Sequence, residues 1–246
     1  MAFETREWFL YPGEVFDDTF QWVMWWELVV IAAESNSWKT TFAMDMIDRN
    51  AKRGKKCFYM NFEFSIETMW ESRWLWENNK PKSALTDVSP LTEKEQEDLD
   101  AYVKDKLMQF DYYNNPNWET VDNIVSRIEQ QYALGYTFFV IDSFSRIIGN
   151  SDSKDTWMNQ NVTMAKLQEA AQRLGVCIVV LHHTNKNGKF EWSQKIMDIA
   201  NVMILISKEL DADLTPYRKY QLVKDKYVPY QELELYYKNW VYSLTD

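Results

Sequence analysis

The sequence predicts an α/β fold, a mostly parallel twisted sheet with helices on both faces and an antiparallel hairpin at the C-terminal end. Three observations carry this expectation. Apolar runs of strand length recur at 28–32, 57–61, 136–142 and 176–181, and each is followed by polar or charged residues. Helix-period stretches lie between them, long enough to return the chain for parallel pairing. The last segment changes habit, because 217–225 and 232–237 alternate polar and apolar residues as a half-buried hairpin does. At 246 residues the chain suits one large domain with a full core and is short for two. Residues 1–246 therefore read as a single domain, with 1–27 as a lead-in and 78–113 as an insertion.

The lead-in, with Tyr11-Pro12-Gly13 and Asp17-Asp18, reads as irregular. The first strand, 28–32, feeds a polar loop, and a helix opens at Lys39 with apolar positions at Phe42, Met46 and Ile47. A basic turn around Gly54 delivers the second strand, 57–61, which ends in Phe62-Glu63-Phe64-Ser65. Asn78-Asn79, Pro81 and Pro90 mark a polar loop, and Thr92 with Glu95 forms a capping box for an acidic helix to about 108. This part is expected to project from the sheet, with a short strand at 110–113. A helix over 119–134 turns at Gly135 into a third strand that ends at Asp142. Another, 155–174, turns at Gly175 into a fourth strand, followed by His182-His183-Thr184-Asn185-Lys186. A loop through Gly188 leads by 193–199 to a fifth strand at 200–207, and the hairpin closes the chain.

Composition narrows the function classes. A net charge of −10 argues against strong nonspecific nucleic-acid binding by one subunit, though a ring of subunits can still present a few basic loops. Cys57 and Cys177 fall in predicted buried strands, as small core residues rather than a disulfide or metal pair. The two histidines are adjacent, and no other Cys or His completes a zinc site. No apolar run reaches the ~18 residues of a membrane span, and the N-terminus lacks a signal-peptide pattern. The expected compartment is the cytoplasm, with no membrane partner.

Strand, polar loop and Lys-Thr-Thr helix start together give the layout of a phosphate-binding P-loop. Residues Ala33, Glu34, Ser35, Asn36, Ser37, Trp38, Lys39, Thr40 and Thr41 form the candidate cradle. In such a loop, backbone N–H groups and the positive end of the helix surround phosphates, a lysine reaches the terminal ones, and a hydroxyl helps hold Mg²⁺. Lys39 and Thr40 fit those two roles by position. Ala33 and Trp38 stand where glycines are expected. The tryptophan is the severe departure, since an indole there fills the space in which backbone and phosphate approach.

Glycine is scarce throughout. At the usual ~7% the chain would hold about 17, but it has 6 glycines and 12 tryptophans. Trp22, Trp25, Trp26, Trp38, Trp157, Trp192 and Trp240 sit where turns, loops or helix starts favour glycine, and Asn239-Trp240 falls where a hairpin wants Asn-Gly. These positions read as native glycines from a gene whose UGA codons mean glycine but were translated as tryptophan, a code that some bacterial lineages use. The opposite reading is a Trp-rich core or an inactivated loop, but core tryptophans follow strand or helix periodicity and these follow turns.

Open α/β sheets bind ligands beyond the carboxyl ends of their strands. The residues that finish the strands here are Lys39 and Thr40, Glu63, Asp142, and His182-His183. Asp142, closing Phe-Phe-Val-Ile, has the position of an aspartate that orients Mg²⁺ beside Thr40.

In order and spacing, these motifs resemble the RecA-fold ATPase core of DnaB-like replicative helicases and RepA-like plasmid replication ATPases, over about 17–237. The alanine and Glu-Ser-Asn-Ser of the P-loop resemble the DnaB-type loop. The resemblance implies ATP and Mg²⁺ as ligands, Glu63 as the residue that activates the attacking water, and His183 as a γ-phosphate sensor by alignment on Asn185. It implies DNA contact by the loop carrying Lys186 and Lys189. Lys224-Asp225-Lys226 resembles the Lys-x-Arg that presents cations to the ATP of a neighbouring subunit, with lysine at the arginine position, where it cannot make the planar bidentate contact. The implied function is ATP hydrolysis in DNA replication or repair, of helicase type, by a homo-oligomeric ring or filament on DNA, single-stranded above all. The other readings are a regulatory ATPase of the RadA or KaiC kind without unwinding, and a module that no longer binds nucleotide if Trp38 is genuine.

Overall fold

The computed structural model describes residues 8–34, 37–63, 65–86, 90–148, 156–184, 194–211, 216–238 and 241–244. In chain order the elements are β1 (Trp8–Phe9), α1 (Glu14–Phe20), β2 (Val23–Met24), β3 (Leu28–Ala33), α2 (Lys39–Lys52), β4 (Cys57–Asn61), α3 (Ile66–Glu77), α4 (Glu93–Met108) and β5 (Asp111–Asn114). They continue with β6 (Glu119–Thr120), α5 (Val121–Ala133), β7 (Phe138–Asp142), β8 (Ile147–Ile148), α6 (Thr156–Leu174), β9 (Cys177–His183), α7 (Gln194–Ile199), β10 (Val202–Leu210), β11 (Pro216–Lys224), β12 (Gln231–Lys238) and β13 (Val241–Leu244).

Among the described residues the main sheet has nine strands in the order β13-β12-β11-β10-β3-β9-β7-β4-β5. From β10 to β5 every pairing is parallel, and β11, β12 and β13 add antiparallel strands at the other edge. β3 lies at the centre and all six of its residues are buried, which is why it reads as an unbroken apolar run. Its alternate residues feed two cores. Val29 and Ile31 pack with Phe42 and Ile47 of α2 on one face. Leu28 and Val30 pack with Ile124 of α5, Leu167 of α6 and Ile196 of α7 on the other. The expected layers are thus present, with the C-terminal hairpin at the sheet's edge.

One stretch is more ordered than the sequence suggested, and another has its expected helix and strand but a different placement. The lead-in forms a small β1–β2 pair around α1, and Phe9, Tyr11, Phe16 and Phe20 are fully buried against α2 and the hairpin. Its aromatics do the work that a regular apolar period does elsewhere. The 78–113 stretch does not project from the sheet. α4 packs on α3, β5 pairs in parallel with β4 as the edge strand, and Phe110 and Trp70 bury the join. Among the described residues no helix is long and apolar enough to cross a membrane.

Gly175 shows the tight turn between α6 and β9. It sits at φ +67°, and a Cβ there would come within 2.3 Å of the Trp25 ring. Backbone conformation and space both exclude a side chain.

Candidate active site

Parallel strands deliver their C-terminal residues to one rim. The register sets Ala33 beside His183, and Asn61 beside Asp142, so the ends of β3, β9, β7 and β4 lie side by side. Alternation then sorts the side chains. Asp142 follows Phe138 and Val140 on the α2 face, and His183 follows Val179 and Leu181 onto the same face. His182 faces the other way, against Phe144 at 5.3 Å, and burial holds its ring down at about 4. It is a half-buried histidine on the face away from Glu63.

Lys39 begins α2 and is buried. Its Nζ lies 3.0 Å from Nε2 of His183, and that same nitrogen lies 2.9 Å from Oε1 of Glu63. One ring nitrogen serves one partner at a time. Carrying a proton it donates to Glu63, and without one it accepts from Lys39. Glu63 Oε1 also accepts a hydrogen bond from the Ser143 hydroxyl at 2.6 Å. The His183 contact is the main reason its carboxyl falls to about 2, with Ser143 adding to the effect and burial opposing it.

The second cluster lies alongside. Asp142 Oδ2 accepts from the Thr40 hydroxyl at 2.7 Å and from the Tyr59 hydroxyl at 2.8 Å. Oδ1 is buried with no hydrogen-bond partner. Burial raises the Asp142 carboxyl, and the nearby Lys39 charge is the leading influence against it. A buried carboxylate with one oxygen left over, beside a threonine hydroxyl, is the hard-oxygen set that suits Mg²⁺. Mg²⁺ fits Thr40 and Asp142 on that ground.

The loop ahead of Lys39 carries the departure seen in the sequence. Trp38 is the N-cap of α2 at φ 65°, ψ 20°, with no side-chain cap. The left-handed conformation is therefore kept, although an indole hangs from it. Among the described tryptophans only Trp38 has a positive φ. Trp22, Trp25 and Trp26 do not, so backbone conformation singles out position 38 and not the others. Trp192 and Trp240 lie outside the described residues, as does the side chain of Trp157. β12 and β13 pair antiparallel, with Lys238 opposite Val241.

The indole of Trp38 leaves the rim sideways. The Arg218 guanidinium lies over its ring at 4.1 Å, and Trp76 of α3 lies at 5.9 Å and 54°. It borders a cavity of about 420 Å³ between α2 and α3, lined among others by Thr41, Met44, Met69, Arg73 and Trp76.

The other sequence expectations fall as follows. Ala33 is the last residue of β3 and Ser37 is buried, while Ser35 and Asn36 lie outside the described residues. The loop with Asn185, Lys186 and Lys189 also lies outside them. Near Glu63 the sequence also has Glu67, which lies on the first turn of α3 and accepts from the hydroxyls of Ser65 and Tyr112. Lys224 and Lys226 are not brought to this chain's own site. Lys224 pairs with Met203 at the start of β10, the rim opposite the P-loop, and donates to the carbonyls of Met197 and Asp198 at the end of α7. Lys226 lies over the Trp26 ring at 5.5 Å. Tyr59, Ser143 and Arg218 escaped the sequence reading. Ser143 could have been found as the residue after a strand-ending aspartate, and Tyr59 by counting two back from the end of β4.

Residues 21–189 match a family profile described as an AAA domain. No curated protein matches the chain in sequence. Solved structures do match in fold. One described as an ATPase domain superposes with a TM-score of 0.81 at 11% identity, over 95% of this chain and 89% of that one. A DnaB-like replicative helicase, described with its interactions with primase, gives 0.78 at 14%, over 92% of this chain, which spans 60% of the helicase. A KaiC-like protein from the archaeon Pyrococcus horikoshii OT3 gives 0.68 at 16%, over 98% and 99%.

Proposed function

The chain belongs to the AAA domain family and has the RecA-like P-loop fold, and on that premise we propose that it hydrolyses ATP and acts on DNA in replication or repair, as a homo-oligomeric ring or filament. The observation that carries the reading is the meeting of Lys39, Glu63, His183, Thr40 and Asp142 at one rim of the sheet through contacts of 2.7 to 3.0 Å. Five polar side chains from four separate elements have no packing reason to converge there.

In this reading, Lys39 and the uncapped N–H groups of α2 hold the terminal phosphates. Thr40 and Asp142 hold Mg²⁺, which would offset charge on the phosphate oxygens. Glu63 aligns a water for in-line attack on the γ-phosphorus. At about 2 its carboxyl is too acidic to take a proton early. Its main acidifying contact is His183, so a γ-phosphate that draws His183 away makes Glu63 more basic when the water must lose its proton. Sensor and base are thereby coupled through one ring nitrogen. The base of the nucleotide enters the cavity beside Thr41 and Met44, whose size suits a small ligand. Lys224 and Lys226 act on a neighbour's nucleotide, since their place on the far rim keeps them from this chain's own. A regulatory ATPase without unwinding uses the same residues, and the near-complete overlap with the KaiC-like chain favours it as the alternative.

Glycine at position 38 is the form that carries this activity. Its φ of 65° lies where glycine is at home and a tryptophan is strained. The gene's codon at 38 is expected to be UGA, and UGG removes the recoding idea. Purified Trp38→Gly should bind and hydrolyse ATP where the tryptophan chain does so weakly, and single-stranded DNA should stimulate it. Hydrolysis without stimulation moves the assignment to the regulatory class. A folded glycine form that neither binds nor hydrolyses ATP overturns it.

A further inference from the structure

Arg218 is a buried cation with no counter-charge among the described residues. It is 3% exposed, and its interactions are the ring of Trp38 and the Tyr217 carbonyl, which accepts from Nη1 at 3.0 Å. Its Nε is buried with no partner. Among the described residues it forms no ion pair with a carboxylate. An unpaired buried guanidinium is costly, and a fold keeps one only where something else compensates.

The register says where it points. Ile206 of β10 lies beside Ala33, the last residue of β3, and opposite Tyr220 of β11. Arg218 is two residues further toward the P-loop rim, opposite Lys208, so it stands past the end of β3 at the level of the loop. Two residues apart in a strand share a face, and Tyr220 stacks on Phe42 of α2 at 5.6 Å. The guanidinium is therefore on the α2 face, beside the residue that precedes Lys39.

We infer that Arg218 is a nucleotide-binding residue of this chain's own site, a cation supplied in cis that pairs with the phosphate chain once position 38 no longer holds an indole against it. The inference rests on the ATPase reading and adds a contact to it. Phosphate is the favoured partner over the base because an anion neutralises a desolvated guanidinium, whereas a stacked base leaves its charge unpaired. The cationic counterpart in the far-rim lysines serves a different subunit's nucleotide, so the two sources of charge are independent.

The test uses the full chain with Trp38→Gly, alone and combined with Arg218→Met or Arg218→Lys. Binding of ATP and of inorganic tripolyphosphate is followed by titration calorimetry, and melting temperature without ligand is measured beside it. Arg218→Met should weaken both ligands on the order of 10- to 100-fold, with Arg218→Lys in between. Its melting temperature should stay level or rise, since an unpaired buried charge has been removed. A purely structural arginine gives the opposite pattern, a lower melting temperature with affinity per folded molecule unchanged, and that overturns the inference. Loss of ATP affinity with tripolyphosphate unchanged makes Arg218 a base contact and overturns the phosphate assignment. If Trp38→Gly folds and binds neither ligand, the ATPase reading falls and this inference with it. If Trp38→Gly binds and Arg218→Met binds equally well, this inference falls alone.

Discussion

Two glutamates at opposite rims of the same sheet are pushed in opposite directions. Glu63, beyond β4, is drawn down to about 2 by His183 and Ser143. Glu27, just before β3, is 1% exposed and driven up to about 7 by burial, against which the Met24 N–H is the main stabilising contact. The difference lies in what surrounds them. At the P-loop rim polar side chains bond to one another across strands, and Asp142 keeps a buried oxygen without a partner. At the opposite rim their hydrogen bonds go to the backbone, although Glu27 Oε1, like Asp142 Oδ1, is buried without a partner. Glu27 accepts from Met24 N–H, Asn201 accepts from Leu28 N–H, and Lys224 donates to the end of α7. One rim holds charge ready for a ligand, and the other closes chain ends.

The largest expected effect breaks the first rim. Glu63→Gln in the Trp38→Gly chain keeps the shape of the side chain and removes its charge, so ATP binding should persist while hydrolysis falls about 10²- to 10⁴-fold. Single-turnover measurements beside binding titrations check this. Equal loss of both places Glu63 in binding and ends its role with the water. The same substitution has a stability signature. A depressed carboxyl contributes stability that is full above the ordinary value of 4.5 and lost as pH falls toward about 2. Thermal melts of the glutamine form should show less of that acid loss.

Glu27 predicts the mirror image. A raised carboxyl means that the folded chain keeps a proton which the unfolded chain releases, so stability falls as pH rises from 4.5 to about 7 and stays low above it. Glu27→Gln should leave melting unchanged below pH 4.5 and stabilise the fold above pH 7, by at most about 3 kcal/mol. ATP hydrolysis should not change beyond what stability dictates. A loss of activity without a loss of stability gives Glu27 a share in function and ends its assignment to closing the chain before β3.

The two rims were not equally legible in the sequence. Strand ends are local features, so Glu63, Asp142 and His183 could be picked out at the ends of apolar runs, and Lys39 and Thr40 at the helix start beyond the first strand and its loop. Side-chain alternation then separates His183 from His182. Tyr59 was hidden because it reads as one more apolar residue inside β4, and only pairing with β7 brings its hydroxyl to Asp142. Arg218 was hidden for a related reason. An arginine in an alternating hairpin strand reads as solvent-facing, and what buries it is the indole of a residue 180 positions earlier. The lead-in was underrated because its fold depends on aromatics meeting α2 and β11 rather than on a periodic face of its own. Glu27 looked like an ordinary strand-flanking acid, since nothing local says that it will be buried and bonded to the Met24 N–H of β2.

The smallest effect on a single chain, and the sharpest for an assembly, concerns Lys224. Its hydrogen bonds to the α7 carbonyls are each worth about 0.5–1.5 kcal/mol net, and the group is partly exposed. Lys224→Ala should therefore lower the melting temperature only slightly and leave nucleotide binding by an isolated subunit alone. If Lys224 serves a neighbour's nucleotide in an assembly, it must leave those carbonyls and reach the neighbour's phosphates, so hydrolysis should fall by more than stability explains. Mixing settles which rim it serves. Lys224→Ala subunits keep Glu63, and Glu63→Gln subunits keep Lys224, so a site between one of each is complete if the lysine acts across the interface. Co-assembled from two weakly active preparations, the mixture should then hydrolyse ATP faster than either alone. If it does not, while size-exclusion shows mixed assemblies, Lys224 is a structural cap on α7 and the far rim has no catalytic share.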